Sequence, residues 1–142
     1  MNRAVLIEAF SATACAGNGA AVVLLDQPWA DELLQAVAGS LRQSETAFLL
    51  PQDGQWLLRW FTPTVEVPLC GHATLAAVLA LGHWQLLEPG RELAFRTRSG
   101  ALAVRLSEGS RCSASIDLPG GGLQPAQPPA SLRELLRRLQ AT

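Results

Sequence analysis

Three short groups hold the side chains able to do chemistry: Ser44-Glu45-Thr46-Ala47-Phe48-Leu49, Gly17-Asn18-Gly19 and Leu69-Cys70-Gly71-His72. On a strand, Glu45 shares a face with Ala47 and Leu49. Such an apolar neighbourhood raises a carboxyl pKa and suits proton transfer near neutral pH. The plainer alternative is an edge-strand glutamate in water. Gly17-Asn18-Gly19 joins two strand-like runs, and both residue types tolerate positive φ, so a tight turn is the ordinary reading. The functional reading is that close backbone approach and an amide side chain hold a carboxylate. No GxGxxG precedes a helix, so this is no dinucleotide fingerprint. Cys70-Gly71-His72 leads into an apolar run, where free helix amides and the positive dipole end attract anions. A thiol there is expected to have a lowered pKa and could act as acid, base or nucleophile, while the imidazole could shuttle a proton. Against this stand a small core cysteine and a merely hydrogen-bonded histidine. No Ser-His-Asp order and no metal-ligand spacing is present, and His83 belongs at a helix end rather than in a site.

The elements that must position these groups follow from hydrophobic pattern. After His72 the run Ala73 to Leu81 has Thr74 as its one polar side chain, so a helix here has no face for water and belongs inside a protein. Its roughly ten residues are too few to cross a bilayer, which needs about 20. Residues 3–10 and 20–25 read as strands around a small-residue loop. A helix opens at Pro28, with Leu33, Leu34, Val37, Ala38 and Leu41 at helical spacing around Gly39. Residues 45–50 and 55–61 form a hairpin across Pro51-Gln52-Asp53-Gly54, and 66–68 is a short extended piece. Residues 92–98 and 101–106 form a second hairpin around Ser99-Gly100, and 112–118 a last strand. The expected fold is α+β: a curled, barrel-like mixed or antiparallel sheet wrapped around one buried central helix. Residues 1–118 are one lobe and 119–130 a Gly/Pro-rich linker. Residues 131–142 are a terminal helix with Ser131 and Glu134 as a capping box, like the start of a second lobe cut off.

Composition narrows the function classes. The 142 residues fit one domain able to bury about two-thirds of its unfolded surface. A net charge of −1 gives no basic face for nucleic acid. All eleven basic residues are arginine, which excludes a lysine Schiff base and with it pyridoxal phosphate chemistry. Cys15, Cys70 and Cys112 have no CxxC pairing and fit a reducing cytoplasm. The N-terminal apolar run breaks at Glu8, too early for a signal peptide, and no stretch would span a membrane.

Four blocks, in order and spacing, resemble the N-terminal half of the phenazine-biosynthesis PhzF-like proteins of the diaminopimelate epimerase-type superfamily. They are Gly17-Asn18-Gly19-Ala20-Ala21-Val22-Val23, Ser44-Glu45-Thr46-Ala47-Phe48, Arg59 to Val67, and Leu69-Cys70-Gly71-His72-Ala73-Thr74-Leu75. The likeness covers residues 3 to about 118. It implies two similar lobes, each a curled sheet around a central helix, with the active site between them. It also implies cofactor-independent isomerase or epimerase chemistry in which a proton moves at carbon. In that resemblance Glu45 is the acid/base residue, while Asn18, Gly71 and His72 bind and orient a small carboxylate substrate. Cys70 falls at a C-G position where related epimerases carry a catalytic cysteine. Family members are about twice this length, so the expectation is a partial site, weakly active or inactive alone. The alternative is a non-catalytic ligand-binding or dimerisation module. The missing half would be supplied by a second copy in a homodimer or by a separately encoded lobe.

Overall fold

In the computed structural model, residues 2–109 and 113–120 are described. The expected linker beyond Gly120, the helix from Ser131 and Cys112 lie outside the described residues. The strands are β1 (Arg3–Ala9), β2 (Asn18–Leu24), β3 (Glu45–Gln52), β4 (Gln55–Phe61), β5 (Glu66–Val67), β6 (Glu92–Thr97), β7 (Gly100–Leu106) and β8 (Ala114–Ile116), with helices α1 (Asp31–Leu41) and α2 (Gly71–His83). One sheet runs β1-β2-β3-β4-β6-β7-β8, with β5 paired to β4. Most neighbours are antiparallel, but β2–β3 and β4–β6 are parallel, so the sheet is mixed as expected.

The apolar α2 sets the architecture. Ala73, Ala76, Ala77, Val78, Ala80 and Leu81 are fully buried among Ala20, Val22, Ala47, Leu49, Leu58, Trp60, Phe95 and Leu106 from the inner face of the sheet. The four alanines let sheet and helix backbones approach closely, and Gly82 takes this furthest. A Cβ there would lie 2.8 Å from Leu106 Cδ2. Helix α1 packs outside, where Leu34 and Ala38 meet Val23, Phe48 and Phe61. The period-2 alternation of β3 thus sends Ala47 and Leu49 inward to α2 and Phe48 outward to α1. Arg59 ties α1 to the sheet, with Nε and Nη2 donating to Glu66 at 2.7 and 2.8 Å and Nη1 to Asp31 at 2.8 Å.

Several boundaries differ from the sequence pattern. The β3–β4 turn is only two residues, Asp53 (φ 52°) and Gly54 (φ 74°), and β3 continues through Pro51. Past Leu49, β3 has no β2 partner, so the missing proline N–H interrupts no ladder there. Helix α1 starts at Asp31 rather than Pro28, and β8 spans three residues rather than 112–118. Strand β2 starts at Asn18, which pairs with Ala9, so Asn18 and Gly19 belong to the ladder rather than to a tight turn. Gly17 is required by close approach instead. A Cβ there would stand 2.5 Å from the Ala9 carbonyl oxygen. Among the described residues the wrapping stops short of closure: between β1 and β8 lies a slot of about 880 Å3, floored by Leu75 and Leu79 of α2.

Thr46 is fully buried on the Phe48 side of β3, and its Oγ1 has no hydrogen-bond partner among the described residues. An unmet buried hydroxyl costs about 1–3 kcal/mol. Thr46→Val is therefore expected to raise the urea midpoint, by about 1 kcal/mol of stability, while Thr46→Ser, which keeps the hydroxyl and loses the methyl, lowers it.

Candidate active site

The start of α2 and the start of β3 meet at one point. The carbonyl of Cys70 accepts from the Thr74 amide at 3.0 Å and from Thr74 Oγ1 at 2.6 Å, closing the first turn and using the one polar group inside the helix. This holds Cys70 at the N-cap, buried, with Gly71 and His72 as the first helical residues. Glu45 is on β3, between β2 and β4, so it sits inside the sheet rather than on an edge strand. Its side chain is 20% exposed and that of His72 11%.

The imidazole lies between the other two groups. His72 Nε2 is 3.1 Å from Glu45 Oε2, and Nδ1 is 3.4 Å from Cys70 Sγ. Oε2 is buried and has no hydrogen bond among the described residues, so the close approach of the ring is off the hydrogen-bond line. Nε2 instead bonds Ser44 Oγ at 3.1 Å. Ser44 Oγ also donates to the Gly19 carbonyl at 2.9 Å and lies 3.4 Å from Asn18 Oδ1, which brings the Asn18 strand to the same place. Asn18, Glu45, Cys70, Gly71 and His72 thus lie together in the structure. His83 sits at the far end of α2, exposed, and takes no part. Among the described residues, space is open above Gly71, where an added Cβ would meet nothing closer than Ile116 Cδ1 at 4.0 Å.

The thiol corrects one expectation. A helix start was expected to lower the Cys70 pKa, but burial pushes it up. The Ala73 amide opposes that shift, the Glu45 carboxylate adds to it, and the His72 amide opposes it again. Desolvation outweighs the helix end, so Cys70 is a thiol rather than a ready nucleophile. The sign of the linkage follows. A folded-state pKa above the unfolded one adds stability below the ordinary thiol range, about 8.5, that is lost as pH rises through the folded value. Cys70 should resist iodoacetamide at neutral pH by peptide mapping while exposed Cys15 reacts. Wild type should also lose urea resistance above about pH 9 more steeply than Cys70→Ala.

Glu45, Cys70 and His72 present donor atoms within 4.8 Å of one another. As a metal set they fit poorly, because the two close contacts of His72 fall on different ring nitrogens. An ion on either nitrogen would have to draw the other donor around the ring, beside the positive end of α2. The arrangement suits proton transfer better.

A family model described as phenazine biosynthesis-like protein, PhzC-PhzF, matches residues 7–126. The chain belongs to the PhzF family. An uncharacterized isomerase of Pseudomonas aeruginosa is 47% identical over 92% of this chain and 49% of its own length. The human phenazine biosynthesis-like domain-containing protein is 40% identical over 87% of this chain and 43% of its own. Among solved structures, a PhzF-family protein of Enterococcus faecalis superposes with a TM-score of 0.70 at 37% identity, covering 74% of this chain and 40% of that one. The PhzF-family protein of Bacillus anthracis gives 0.70 at 30% identity, over 82% and 40%. The chain spans about half the length of the curated relatives it matches, as the PhzF resemblance of its four blocks implied. No helix among the described residues is long and apolar enough to cross a membrane.

Sequence reasoning missed Ser44. Its only signal was a hydroxyl directly before Glu45, and nothing in the chain order shows that this hydroxyl reaches both β2 and His72.

Proposed function

We propose that this chain is the proton-transfer half of a PhzF-family isomerase or epimerase acting, without a cofactor, on a small carboxylate-bearing metabolite. The observation that carries the reading is the Glu45 carboxylate at the mouth of α2, partly exposed, with its buried Oε2 making no hydrogen bond among the described residues and lying 3.1 Å from an imidazole. A carboxylate oxygen so held can take a proton from carbon, breaking C–H and forming O–H, while the electron pair moves into the substrate's activating group. Return of the proton to another carbon gives isomerisation, and return on the opposite face gives epimerisation. The open space over Gly71 at the helix start offers room and positive potential for the substrate carboxylate, with Asn18 at the rim.

This lobe alone leaves the face open to water, so full rate in this reading needs a second half set against it, which a second copy of the chain could supply. Neither nucleic acid nor membrane is a partner in this reading, and the cytoplasm is its compartment. Incubating the chain in D2O with a panel of small amino and hydroxy acids tests it. Slow deuterium entry beside a carboxylate, lost in Glu45→Gln, is expected. No incorporation with any bound acid would overturn the enzymatic reading.

The second reading is a non-catalytic binding or dimerisation module, favoured by the open β1–β8 slot and the exposed Leu6 and Phe10 beside it. Under it, Glu45→Gln leaves ligand binding intact and there is no exchange to lose.

A further inference from the structure

We propose that Ser44 is a positioning residue whose hydroxyl accepts the Nε2 proton of His72 and so keeps that proton off the Glu45 carboxylate. A serine hydroxyl has one hydrogen to give. Ser44 Oγ lies 2.9 Å from the Gly19 carbonyl oxygen and 3.4 Å from Asn18 Oδ1, so the carbonyl, an acceptor that cannot donate, takes it. The lone pairs of Oγ are then what faces His72 Nε2 at 3.1 Å. Two lone pairs do not bond, so Nε2 carries the hydrogen and Nδ1 is bare. The other side of the ring agrees, since bare Nδ1 stands 3.4 Å from Cys70 Sγ and can accept from its S–H. The chain of donors therefore runs one way, from the Cys70 thiol through His72 and Ser44 to the Gly19 carbonyl on β2.

Glu45 Oε2 is as close to Nε2 as Ser44 Oγ is, yet it receives no hydrogen bond among the described residues. Diverting the imidazole proton spares the carboxylate a hydrogen bond that would lower its basicity. Without the hydroxyl, the ring N–H would turn onto Oε2 as a charge-assisted bond, stronger than the one it replaces, and would occupy the base. This deepens the reading of Glu45 as the base and rests on it, but its test needs no substrate and so fails or succeeds separately.

The test is a long-range proton–nitrogen NMR spectrum of the 15N-labelled chain carrying His83→Gln, so that one histidine remains. With Ser44 present, the neutral ring should show a protonated Nε2 and an unprotonated Nδ1. Ser44→Ala should move the Nε2–H proton downfield as the bond passes to Glu45, and adding Glu45→Gln should cancel that displacement. Ser44→Thr should restore the wild-type pattern. A hydrogen on Nδ1 in the protein with Ser44 intact, or a Ser44→Ala spectrum unchanged from it, overturns the proposal.

Discussion

Glu45→Gln is expected to lower proton exchange into a bound acid by about 10²–10⁴-fold, the range contributed by a positioned general base, while binding changes little. The amide matches the carboxylate in size, so the packing of β3 against α2 is kept. It cannot take a proton from carbon, and it places a carbonyl or an NH2 group 3.1 Å from His72 where Oε2 stands now. Binding survives because the proposed carboxylate contacts lie on the other element, at Gly71 and the start of α2. Exchange followed by proton NMR in D2O, with binding followed by calorimetry, separates the two effects. Equal loss of both would mean that Glu45 holds the ligand rather than moving its proton.

The second large effect is on the fold. Ala77 is fully buried at the centre of α2. Ala77→Asp would place a carboxyl where neither water nor a cation can reach it, and the group would have to stay protonated or remain unpaired. Several kcal/mol are lost either way, against a total of about 5–15 kcal/mol for a typical domain. Cooperative urea unfolding, read by tryptophan fluorescence, to which buried Trp60 contributes, is expected to disappear. Ala77→Ser should cost only about 1 kcal/mol, because a helical serine can turn its hydroxyl to the carbonyl one turn back. A cooperative transition retained in Ala77→Asp would contradict the claim that α2 is enclosed on this side.

The contrast between these sites shows what was legible in the chain. Helix α2 could be read because ten residues without a polar face admit only an interior location, and the structure extends it merely to Gly71–His83. The inward face of β3 could be read because alternation fixes which side Ala47 and Leu49 take, and Glu45 with them. Asp53-Gly54 announced its hairpin through residues that accept positive φ. Properties that depend on partners far along the chain could not be read in the same way. Whether the Cys70 thiol rises or falls depends on how completely the sheet covers it, and the helix-end rule alone gave the wrong sign. Asn18 as the start of β2, the outward seat of α1 and the slot left between β1 and β8 are set by pairings between distant segments. The four blocks that resemble the PhzF family supplied the link between Asn18, Glu45 and His72 that local pattern lacked, and the ring contacts of His72 give that link its distances.

The central claim is geometric: the Glu45 carboxylate reaches the reacting carbon of a carboxylate bound at the start of α2. A crystal structure of the chain with an acid that undergoes exchange tests it most directly. The predicted result is a ligand carboxylate over Gly71, with the carbon that exchanges within about 3.5 Å of a Glu45 carboxylate oxygen, the separation of reacting atoms in a near-attack geometry. A ligand seated elsewhere, in the β1–β8 slot for example, or with that carbon turned away from Glu45, would contradict the account.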